Sequence, residues 1–299
     1  MKVAVTGGTG FVGRHLVNRL LKDNHEITVL THRKSGENIF DNRVRMISGS
    51  VNSASEMVPA FQGCQVIFHL VGIIAETRKN TFEKTVVEGT RNVVAACREA
   101  KVKKIIYLSA MGTSEFAETT YHRTKYQAEQ TVINSGLEWV IFRASVIYGE
   151  DDSFLAILSK VIKYFPFIPI FGDGRYKLQP VYIEDLTNAM AKAVVTPSAA
   201  GQIIDIGGPE QLDYMTIMNK IKKTLGKKRL NFHIHFRVIK PVAALMELFL
   251  KPAPLTVDQL TMLKMGNTGD ISKMRALFGI EPVTFEDGLK KVIGDKVNG

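Results

Sequence analysis

Short apolar runs alternate along the first half of the chain with segments in which apolar residues recur at helical spacing. Strands are predicted from the apolar runs at 2–7, 26–32, 43–50, 65–72, 103–112 and 138–149. Helices are predicted from the segments between them, at 11–24, 56–63, 81–101 and 121–136. Strict alternation of this kind is typical of a parallel sheet that is covered by helices on both faces.

The pattern changes after residue 150. We expect a helix and then a turn region rich in Pro and Gly at 152–174, a strand end and helix at 179–196, and one more strand at 201–208. From Met215 onward the sequence is helical and basic. These elements predict an α/β fold: a doubly wound, Rossmann-type sheet in 1–150, with returning elements at about 178–207. A smaller, mostly helical lobe is expected to comprise 151–177 and 208–299.

Composition narrows the class of protein. With 299 residues, of which 45% are hydrophobic and 23% charged, the chain has the composition of a globular protein with a large core. Cys64 and Cys97 lie among apolar residues and are predicted to be buried free thiols. No apolar leader follows Met1, and no segment is long and apolar enough to be a transmembrane candidate. The expected location is cytoplasmic, with a peripheral position at the inner membrane face as the alternative.

The net charge of +10 is concentrated in one segment. Residues 219–251 hold nine lysines or arginines and one acidic residue, which gives this segment a charge of +8. Such a segment is either a solvated basic surface or a docking surface for a protein or an anionic membrane. His233 and His235 alternate within it, but no cluster of cysteines or carboxylates accompanies them, so no metal site is predicted. No nucleic-acid partner is expected.

A glycine motif opens the chain between a predicted strand and a predicted helix. Gly7, Gly10 and Gly13 form the pattern G-x-x-G-x-x-G. Glycine permits the tight turn, the approach of the backbone to a pyrophosphate and the close packing of helix on strand, while the helix N-terminus presents free N–H groups. The motif therefore predicts a dinucleotide-binding site.

The residues after the second predicted strand bear on which dinucleotide is bound. Sites for NAD usually carry an acidic residue about 20 positions beyond the glycines, where it accepts hydrogen bonds from the ribose hydroxyls. Here that position is Arg33, flanked by His32 and Lys34. A guanidinium favours a 2′-phosphate, so NADP(H) is expected in preference to NAD(H). The alternative is a solvated basic loop.

Tyr121 and Lys125 lie four residues apart in a predicted helix and therefore on one face of it. A nearby ammonium favours the phenolate and is expected to lower the pKa of the tyrosine from about 10. Such a pair can exchange a proton with a carbonyl or hydroxyl group while a nicotinamide exchanges a hydride. Pairs with this spacing are also common on helix surfaces, but the position of this one, after the strand at 103–112, favours a catalytic role.

The chain resembles the extended short-chain dehydrogenase/reductases, which include NAD-dependent epimerases and dehydratases. The resemblance rests on the motifs TGGTGFVG, VIFHLVG, VEGTRN, YHRTKYQAE, FRASVIYG and PVYIEDL, which occur in the order of that family. Within it the chain is most similar to an atypical branch that includes an accessory subunit of respiratory complex I and its bacterial relatives. The late segment PAPLTVDQLTML adds to that similarity.

The resemblance implies roles for further residues. Thr9, Phe11 and Val12 would join the three glycines at the pyrophosphate, and Ser50 and Val51 would flank the adenine. The residues that would run beside the cofactor or lie near its nicotinamide are Leu70, Val71, Gly72, Ser109, Ala144 and Val146. Tyr121 would be the catalytic acid or base, and Lys125 would hold the nicotinamide ribose.

Three positions depart from the pattern of this family. Met111 replaces the usual catalytic Ser or Thr, Val86 replaces an Asn, and Ser50 stands where an acidic residue is frequent. Methionine is no useful hydrogen-bond donor, and the loss of one such donor typically lowers a rate about 10²- to 10³-fold. Thr113 or Ser114 could supply a hydroxyl only if the loop were shifted.

Three functions stay open at this point. The first is an NADP(H)-dependent reductase, dehydrogenase or epimerase-like enzyme that acts on an unknown small molecule. The second is a non-catalytic, cofactor-binding subunit or assembly factor that docks through 219–251. The third is a nucleotide-sugar epimerase, against which Met111 weighs.

Overall fold

The computed structural model describes residues 1–32 and 39–294. Its strands are β1 (Lys2–Thr6), β2 (Glu26–Thr31), β3 (Val44–Ser48), β4 (Val66–His69), β5 (Lys104–Ala110), β6 (Glu138–Ala144), β7 (Ile147–Tyr148), β8 (Phe167–Phe171), β9 (Lys177–Leu178), β10 (Val181–Tyr182), β11 (Gln202–Ile206), β12 (Leu212–Asp213) and β13 (Leu230–Ile234). Its helices are α1 (Phe11–Lys22), α2 (Ala54–Phe61), α3 (Gly89–Glu99), α4 (Thr120–Ile133), α5 (Ser153–Tyr164), α6 (Ile183–Ala193), α7 (Tyr214–Thr224), α8 (Phe236–Phe249), α9 (Val257–Met265), α10 (Ser272–Phe278) and α11 (Phe285–Gly294). A π-helical segment (Glu83–Glu88) leads into α3, and a 3₁₀ turn (Pro197–Ala199) follows α6.

Seven strands form the central sheet, in the order β11-β6-β5-β4-β1-β2-β3, and every neighbouring pair is parallel. The chain begins in β1, extends to β3 on one side and then resumes with β4 on the other. The strand order therefore reverses between β1 and β4, and in open sheets of this type ligands bind outside the carboxyl ends of the strands at that point. The predicted doubly wound Rossmann-type fold is confirmed.

The sheet is buried on both faces. Val3 and Val5 of β1 belong to one apolar cluster, whereas Ala4 between them belongs to the other, because successive side chains of a strand point to opposite faces. All seven residues of β5 are buried. Burial on both faces explains why these strands read as continuous apolar runs rather than as alternating ones.

The run at 138–149 is not one strand, as the sequence predicts, but two. Hydrogen bonding to the central sheet ends shortly after β6, where the amide of Ser145 donates to Ile206 O (2.9 Å). The amide of Val181 then donates to Val146 O, and β7 pairs with β10 in a separate two-stranded sheet. The apolar pattern continues through the break because both pieces are largely buried, so the pattern alone does not reveal it.

Two further expectations are wrong in the second half of the chain. The turn region expected after α5 contains β8, and the region expected to be helical from Met215 onward contains β13. These two strands pair in parallel, from Phe167 opposite Leu230 to Phe171 opposite Ile234. Within residues 1–32 and 39–294, none of the helices has the length and apolar character needed to cross a bilayer.

Candidate functional site

The glycine motif forms a tight turn from β1 into α1. Gly7 has φ +75°, a conformation that favours glycine, and its carbonyl accepts a hydrogen bond from the amide of Gly10 (3.1 Å). A Cβ atom at Gly13 would overlap the carbonyl oxygen of Gly7 and lie 2.5 Å from Gly8 Cα. Gly10 caps α1 without any side-chain hydrogen bond to the first turn of the helix. The first amides of α1 are thus left for an anionic ligand, and the turn fits a dinucleotide pyrophosphate.

The other residues predicted to bind the cofactor near the glycine motif lie either in the segment after β4 or in the turn itself. A Cβ atom at Gly7 would lie 3.1 Å from Leu70 C and Val71 N, so the residues after β4 adjoin the turn. The residues that surround the turn itself, Thr9, Phe11 and Val12, are partly buried. Phe11 also reaches Gly149, whose Cβ would lie 3.5 Å from the Phe11 ring.

The ends of β2 and β3 lie side by side, joined by a hydrogen bond from the amide of Gly49 to Thr31 O (2.9 Å). Ser50 therefore follows β3 next to His32, which is exposed at the end of β2. Val51 is buried against Gly89 at the start of α3. Arg33, on which the expected preference for NADP(H) rests, lies outside the described residues.

Helix α4 presents Tyr121, Lys125 and Glu129 at intervals of four residues, which places all three on one face. Glu129 is fully buried, and its two carboxylate oxygens accept hydrogen bonds from Arg143 of β6 at 2.9 and 2.6 Å. At the opposite end of the helix, the carboxylate of Asp258 from α9 accepts a hydrogen bond from the amide of Tyr121 (3.1 Å). Contacts to β6 and to α9 thus fix both ends of the face.

The Lys125 side chain extends to the carboxyl ends of the central strands. Its Nζ donates to Leu108 O of β5 (2.9 Å) and lies 3.2 Å from the position of a Cβ atom at Gly72, just after β4. Its ammonium also lies 4.9 Å from the centre of the Tyr107 ring. Burial lowers the pKa of Lys125 to about 8, an effect that Glu129 partly offsets.

The pKa of Tyr121 is raised to about 12, because burial disfavours the phenolate. The expectation that Lys125 lowers this pKa is wrong, since the ammonium is engaged by Leu108 O and the Tyr107 ring instead. The Tyr121 ring packs edge-on against Phe82, 6.0 Å away, which directly precedes the π-helical segment. At neutral pH Tyr121 is therefore neutral, with a hydroxyl that can donate a hydrogen bond.

The loop after β5 has an apolar residue where a hydroxyl is usual. Met111 is buried, and its Cε lies 3.0 Å from the position of a Cβ atom at Gly269 in the C-terminal region. Two other hydroxyls meet nearby: Ser109 Oγ and Thr113 Oγ1 are 3.4 Å apart and both residues are buried. Ser114, the other candidate, is exposed.

The rest of this loop is held by His122. Its Nδ1 is 2.8 Å from Thr119 Oγ1, and its ring lies 3.3 Å from where Gly112 would carry a Cβ atom. Gly112 has φ +86°, so glycine is needed both for the turn and for the space. His122 therefore packs behind the loop. Ala144 accepts a hydrogen bond from the amide of Met111 (3.0 Å), while Val146, partly buried, follows the end of β6.

A cleft of about 350 Å³ lies beside the N-terminus of α4. One wall carries Phe82 and Thr120, which adjoin Tyr121, and the other carries Glu247, Leu250 and Asp258 from the C-terminal helices and their connection. The cleft combines apolar groups with acidic groups and the lysine Lys251, next to the tyrosine. It is the candidate substrate site.

Sequence reasoning missed Glu129, Arg143, Asp258 and Phe82. The spacing of four residues from Tyr121 to Lys125 continues to Glu129, so this carboxylate was available as a signal on the same helix face. Its partner Arg143 and the distant Asp258 and Phe82 meet α4 only through the tertiary fold, and no local pattern marks them.

Comparison with known proteins assigns the family. The family described as NAD dependent epimerase/dehydratase matches residues 3–207, which include the glycine turn and the Tyr121–Lys125 pair. The chain belongs to this epimerase/dehydratase family. The resemblance to the extended short-chain dehydrogenase/reductases is thereby confirmed.

The proteins to which the chain is similar have names that describe different functions. The 3beta-hydroxysteroid-dehydrogenase/decarboxylase isoform 2 of Arabidopsis thaliana is 28% identical over an alignment covering 97% of this chain and 61% of that protein. This chain thus spans less than two thirds of that relative. The mitochondrial NADH dehydrogenase [ubiquinone] 1 alpha subcomplex subunit 9 of Dictyostelium discoideum is 26% identical, over 86% of this chain and 73% of that subunit.

Solved structures of the epimerase/dehydratase type share the fold. The UDP-glucuronic acid 4-epimerase of Bacillus cereus, in complex with UDP-glucuronic acid and NAD, superimposes with a TM-score of 0.76. It is 24% identical, and the alignment covers 98% of each chain. This likeness supports the fold.

Two alanine substitutions should separate the roles of the glycines in the turn. Gly13→Ala should lower the free energy of unfolding by about 1 to 3 kcal/mol, because its methyl group would overlap Gly7 O. Gly10→Ala has ordinary backbone angles and a nearest contact of 3.3 Å, so it should cost less than about 1 kcal/mol. It should nevertheless weaken NADPH binding about tenfold or more, because Gly10 is exposed where the pyrophosphate would approach. Urea unfolding and NADPH fluorescence titration measure the two effects. Unchanged NADPH affinity in Gly10→Ala would contradict this assignment.

Replacing Lys125 should stabilise the protein near neutral pH. The pKa of Lys125 is about 8 in the folded chain, against an ordinary value of 10.5. Below pH 8 the folded protein carries a buried charge, so Lys125→Met should raise the free energy of unfolding at pH 7 by about 1 to 2 kcal/mol. Between pH 8 and 10.5 the unfolded chain binds more protons, so wild type gains stability as pH rises and the advantage of the variant shrinks.

Urea unfolding at pH 7 and pH 9.5 would check this prediction. Lys103→Met, at an exposed lysine, is the matched control and should show neither effect. A loss of stability in Lys125→Met that is larger at pH 7 than at pH 9.5 would contradict this prediction and show that the ammonium contributes to folding.

Proposed function

We propose that the chain is an NADP(H)-dependent oxidoreductase or epimerase-like enzyme that acts on a small molecule with a secondary alcohol or ketone. The observation that carries this proposal is the position of the Lys125 ammonium, buried at the carboxyl ends of β4 and β5 with Tyr121 one turn earlier on the same helix. A buried ammonium of lowered pKa with a tyrosine on the same helix face is typical of a catalytic rather than a structural site.

In this proposal different residues bind the cofactor and transfer the proton. The amides at the start of α1 bind the pyrophosphate, with Leu70, Val71 and Gly72 alongside the cofactor, and Lys125 hydrogen-bonds the nicotinamide ribose. When bound, the cofactor supplies or accepts a hydride. Tyr121 donates a proton to the substrate oxygen in the direction of reduction, for which its raised pKa keeps it protonated. The reverse direction requires Tyr121 to accept that proton.

The missing hydroxyl at Met111 limits the rate in this proposal. The buried pair of Ser109 and Thr113 is the best available source of a hydrogen bond to the substrate oxygen. A pair that is already hydrogen-bonded to itself gives up part of that bond when it turns to a substrate. We therefore expect slow turnover compared with enzymes that carry Ser or Thr at this position.

A second function is supported by the same departure. With Met111 buried in place of the usual donor, the chain would serve as a cofactor-loaded subunit or assembly factor that performs no chemistry. The similarity to a subunit named for NADH dehydrogenase is in keeping with this role. Nucleotide-sugar epimerisation is the third candidate. It is suggested by the structural similarity to UDP-glucuronic acid 4-epimerase.

Tyr121→Phe should separate the enzyme from the cofactor-loaded subunit. Removing the phenol should lower turnover about 10²- to 10⁴-fold while leaving NADPH affinity within about twofold. We would incubate wild type and variant, each loaded with NADP⁺ or NADPH, with a cell extract of small molecules. Liquid chromatography with mass spectrometry then detects substrates of an epimerase too, which leaves the cofactor unchanged overall.

Tyr126→Phe is the matched control, because Tyr126 lies on the same helix and is partly buried but does not share the face of Lys125. A metabolite altered by wild type and Tyr126→Phe but not by Tyr121→Phe would identify the substrate class. Equal metabolite profiles for all three proteins, with tight NADPH binding, would reject the enzyme in favour of the subunit.

Arg33→Ala tests the proposed preference for NADP(H). If the guanidinium pairs with the 2′-phosphate, the substitution should raise the Kd for NADPH about tenfold or more and leave the Kd for NADH unchanged. Arg45→Ala is the control, since Arg45 is an exposed arginine on the neighbouring strand β3. Equal affinities for NADPH in wild type and Arg33→Ala would contradict the preference.

A further inference from the structure

The two-stranded sheet of β8 and β13 has an apolar outer face. In a parallel pair, residues opposite each other share a face, so Phe167 lies with Leu230 and Phe232 on one side. These three side chains are 57%, 68% and 60% exposed. The opposite face holds Ile168 and Ile170, which are fully buried. A sheet with one buried face normally presents polar residues on the other, so this outer face lacks its usual solvent-facing character.

Helix α8, which begins two residues after β13, also exposes apolar side chains. Val238, Val242, Leu245 and Phe249 follow one another at helical spacing and are all exposed. Ala243 is the one buried residue of this fourteen-residue helix. An apolar stripe on a helix is expected to face a partner, and among the described residues nothing covers this one.

A basic cleft of about 550 Å³ borders the apolar sheet face. It is lined by Pro166, Lys222, Lys227, Lys228, Arg229 and Leu230. Leu230 belongs to both surfaces, and Pro166 immediately precedes Phe167. Within the described residues, these four cations form no ion pair with a carboxylate, whereas the nearby Lys220 and Lys223 are paired with Glu286. The cleft therefore has uncompensated positive charge next to an apolar surface.

We propose that the outer face of the β8–β13 sheet and the basic cleft bind the surface of an anionic phospholipid bilayer. Exposed Phe and Leu side chains enter the boundary between headgroups and acyl chains, while the exposed Lys227 and Lys228 contact the lipid phosphates. Cores of protein–protein interfaces are depleted in lysine, so the adjoining lysines favour a membrane over a protein partner. The arrangement binds to one leaflet without a membrane-spanning helix.

Bilayer binding would also orient the candidate substrate cleft. Glu247 and Leu250, at and just beyond the end of α8, line the cleft beside Thr120. The helix with the exposed apolar stripe thus extends from the proposed membrane surface to the wall of this cleft. The membrane proposal itself rests on the surface alone and stands whether or not the chain is an enzyme.

Vesicle cosedimentation with the full chain tests the proposal. Vesicles of phosphatidylcholine alone and of phosphatidylcholine with 30% phosphatidylglycerol would be compared at about 50 mM and 500 mM salt. We expect binding to the anionic vesicles, weakened at high salt. Each cation near an anionic surface contributes about fivefold in affinity. The triple variant Lys222→Glu, Lys227→Glu, Lys228→Glu should therefore bind at least on the order of 100-fold more weakly.

Two further variants separate the effect of this surface from that of total charge, and the effect of its apolar groups from that of its charges. The triple variant Lys79→Glu, Lys101→Glu, Lys103→Glu makes the same change at exposed lysines elsewhere and should retain binding to within a few-fold. Leu230→Ser with Phe232→Ser should reduce binding at least tenfold at low salt, because it removes the inserted apolar groups and leaves the charge unchanged. Circular dichroism and urea unfolding confirm that each variant is folded.

Three results would overturn the proposal. If wild type does not bind the anionic vesicles, the surface does not bind membranes. If the two triple lysine variants lose vesicle binding to the same extent, binding depends only on net charge. Concentration-dependent self-association of wild type, abolished by Leu230→Ser with Phe232→Ser and unaccompanied by vesicle binding, would assign the apolar face to a second copy of the chain.

Discussion

The bidentate ion pair between Glu129 and Arg143 fixes the helix on which the candidate chemistry depends. Glu129 is fully buried, and a buried carboxylate is stable only if its charge is compensated by well-placed donors. Because both oxygens are engaged by one guanidinium on β6, the rotation of α4 about its axis is determined. Lys125 and Tyr121, one and two turns earlier, then face the carboxyl ends of the strands.

The same helix face carries a charge that does not favour folding. Lys125 is buried, with one hydrogen bond to Leu108 O, an aromatic ring and Glu129 four residues away as compensation. A methionine of similar length would fill the space without the desolvation of an ammonium. Burial at such a cost, at the strand ends where this fold binds ligands, argues for a functional reason for the lysine.

How much the sequence predicts depends on how local the determining interaction is. The glycine turn follows largely from residues 7–13, because Gly7 has φ +75° and a Cβ atom at Gly13 would overlap Gly7 and Gly8, and the structure has that turn. The β7 break and the β8–β13 sheet could not be predicted, because interactions with residues 35 or more positions away determine them. The division of the chain into a Rossmann unit and a smaller lobe, and the roles of the site residues, stay predictions.

The pKa of Tyr121 shows the same limit for the site. The pair spacing correctly indicated a shared helix face, but the pKa depends on burial by Phe82 and on which acceptor the lysine finds, and both are tertiary. The environment of Met111 likewise depends on tertiary contacts that the sequence does not reveal. As a sequence departure it removes a donor, but in the structure it packs toward Gly269, and Asn267 Nδ2 donates to its carbonyl (3.5 Å).

These contacts connect the C-terminal region to the candidate site at two points. The carboxylate of Asp258 accepts a hydrogen bond from the amide of Tyr121 at the start of α4. Asn267 donates to the carbonyl of Met111, and Gly269 packs against the Met111 side chain. Asn267 O also accepts hydrogen bonds from Ser145 Oγ and from the amide of Gln179. The C-terminal region is therefore a structural part of the site, and α8, which carries the exposed apolar stripe, contributes Glu247 to the wall of its cleft.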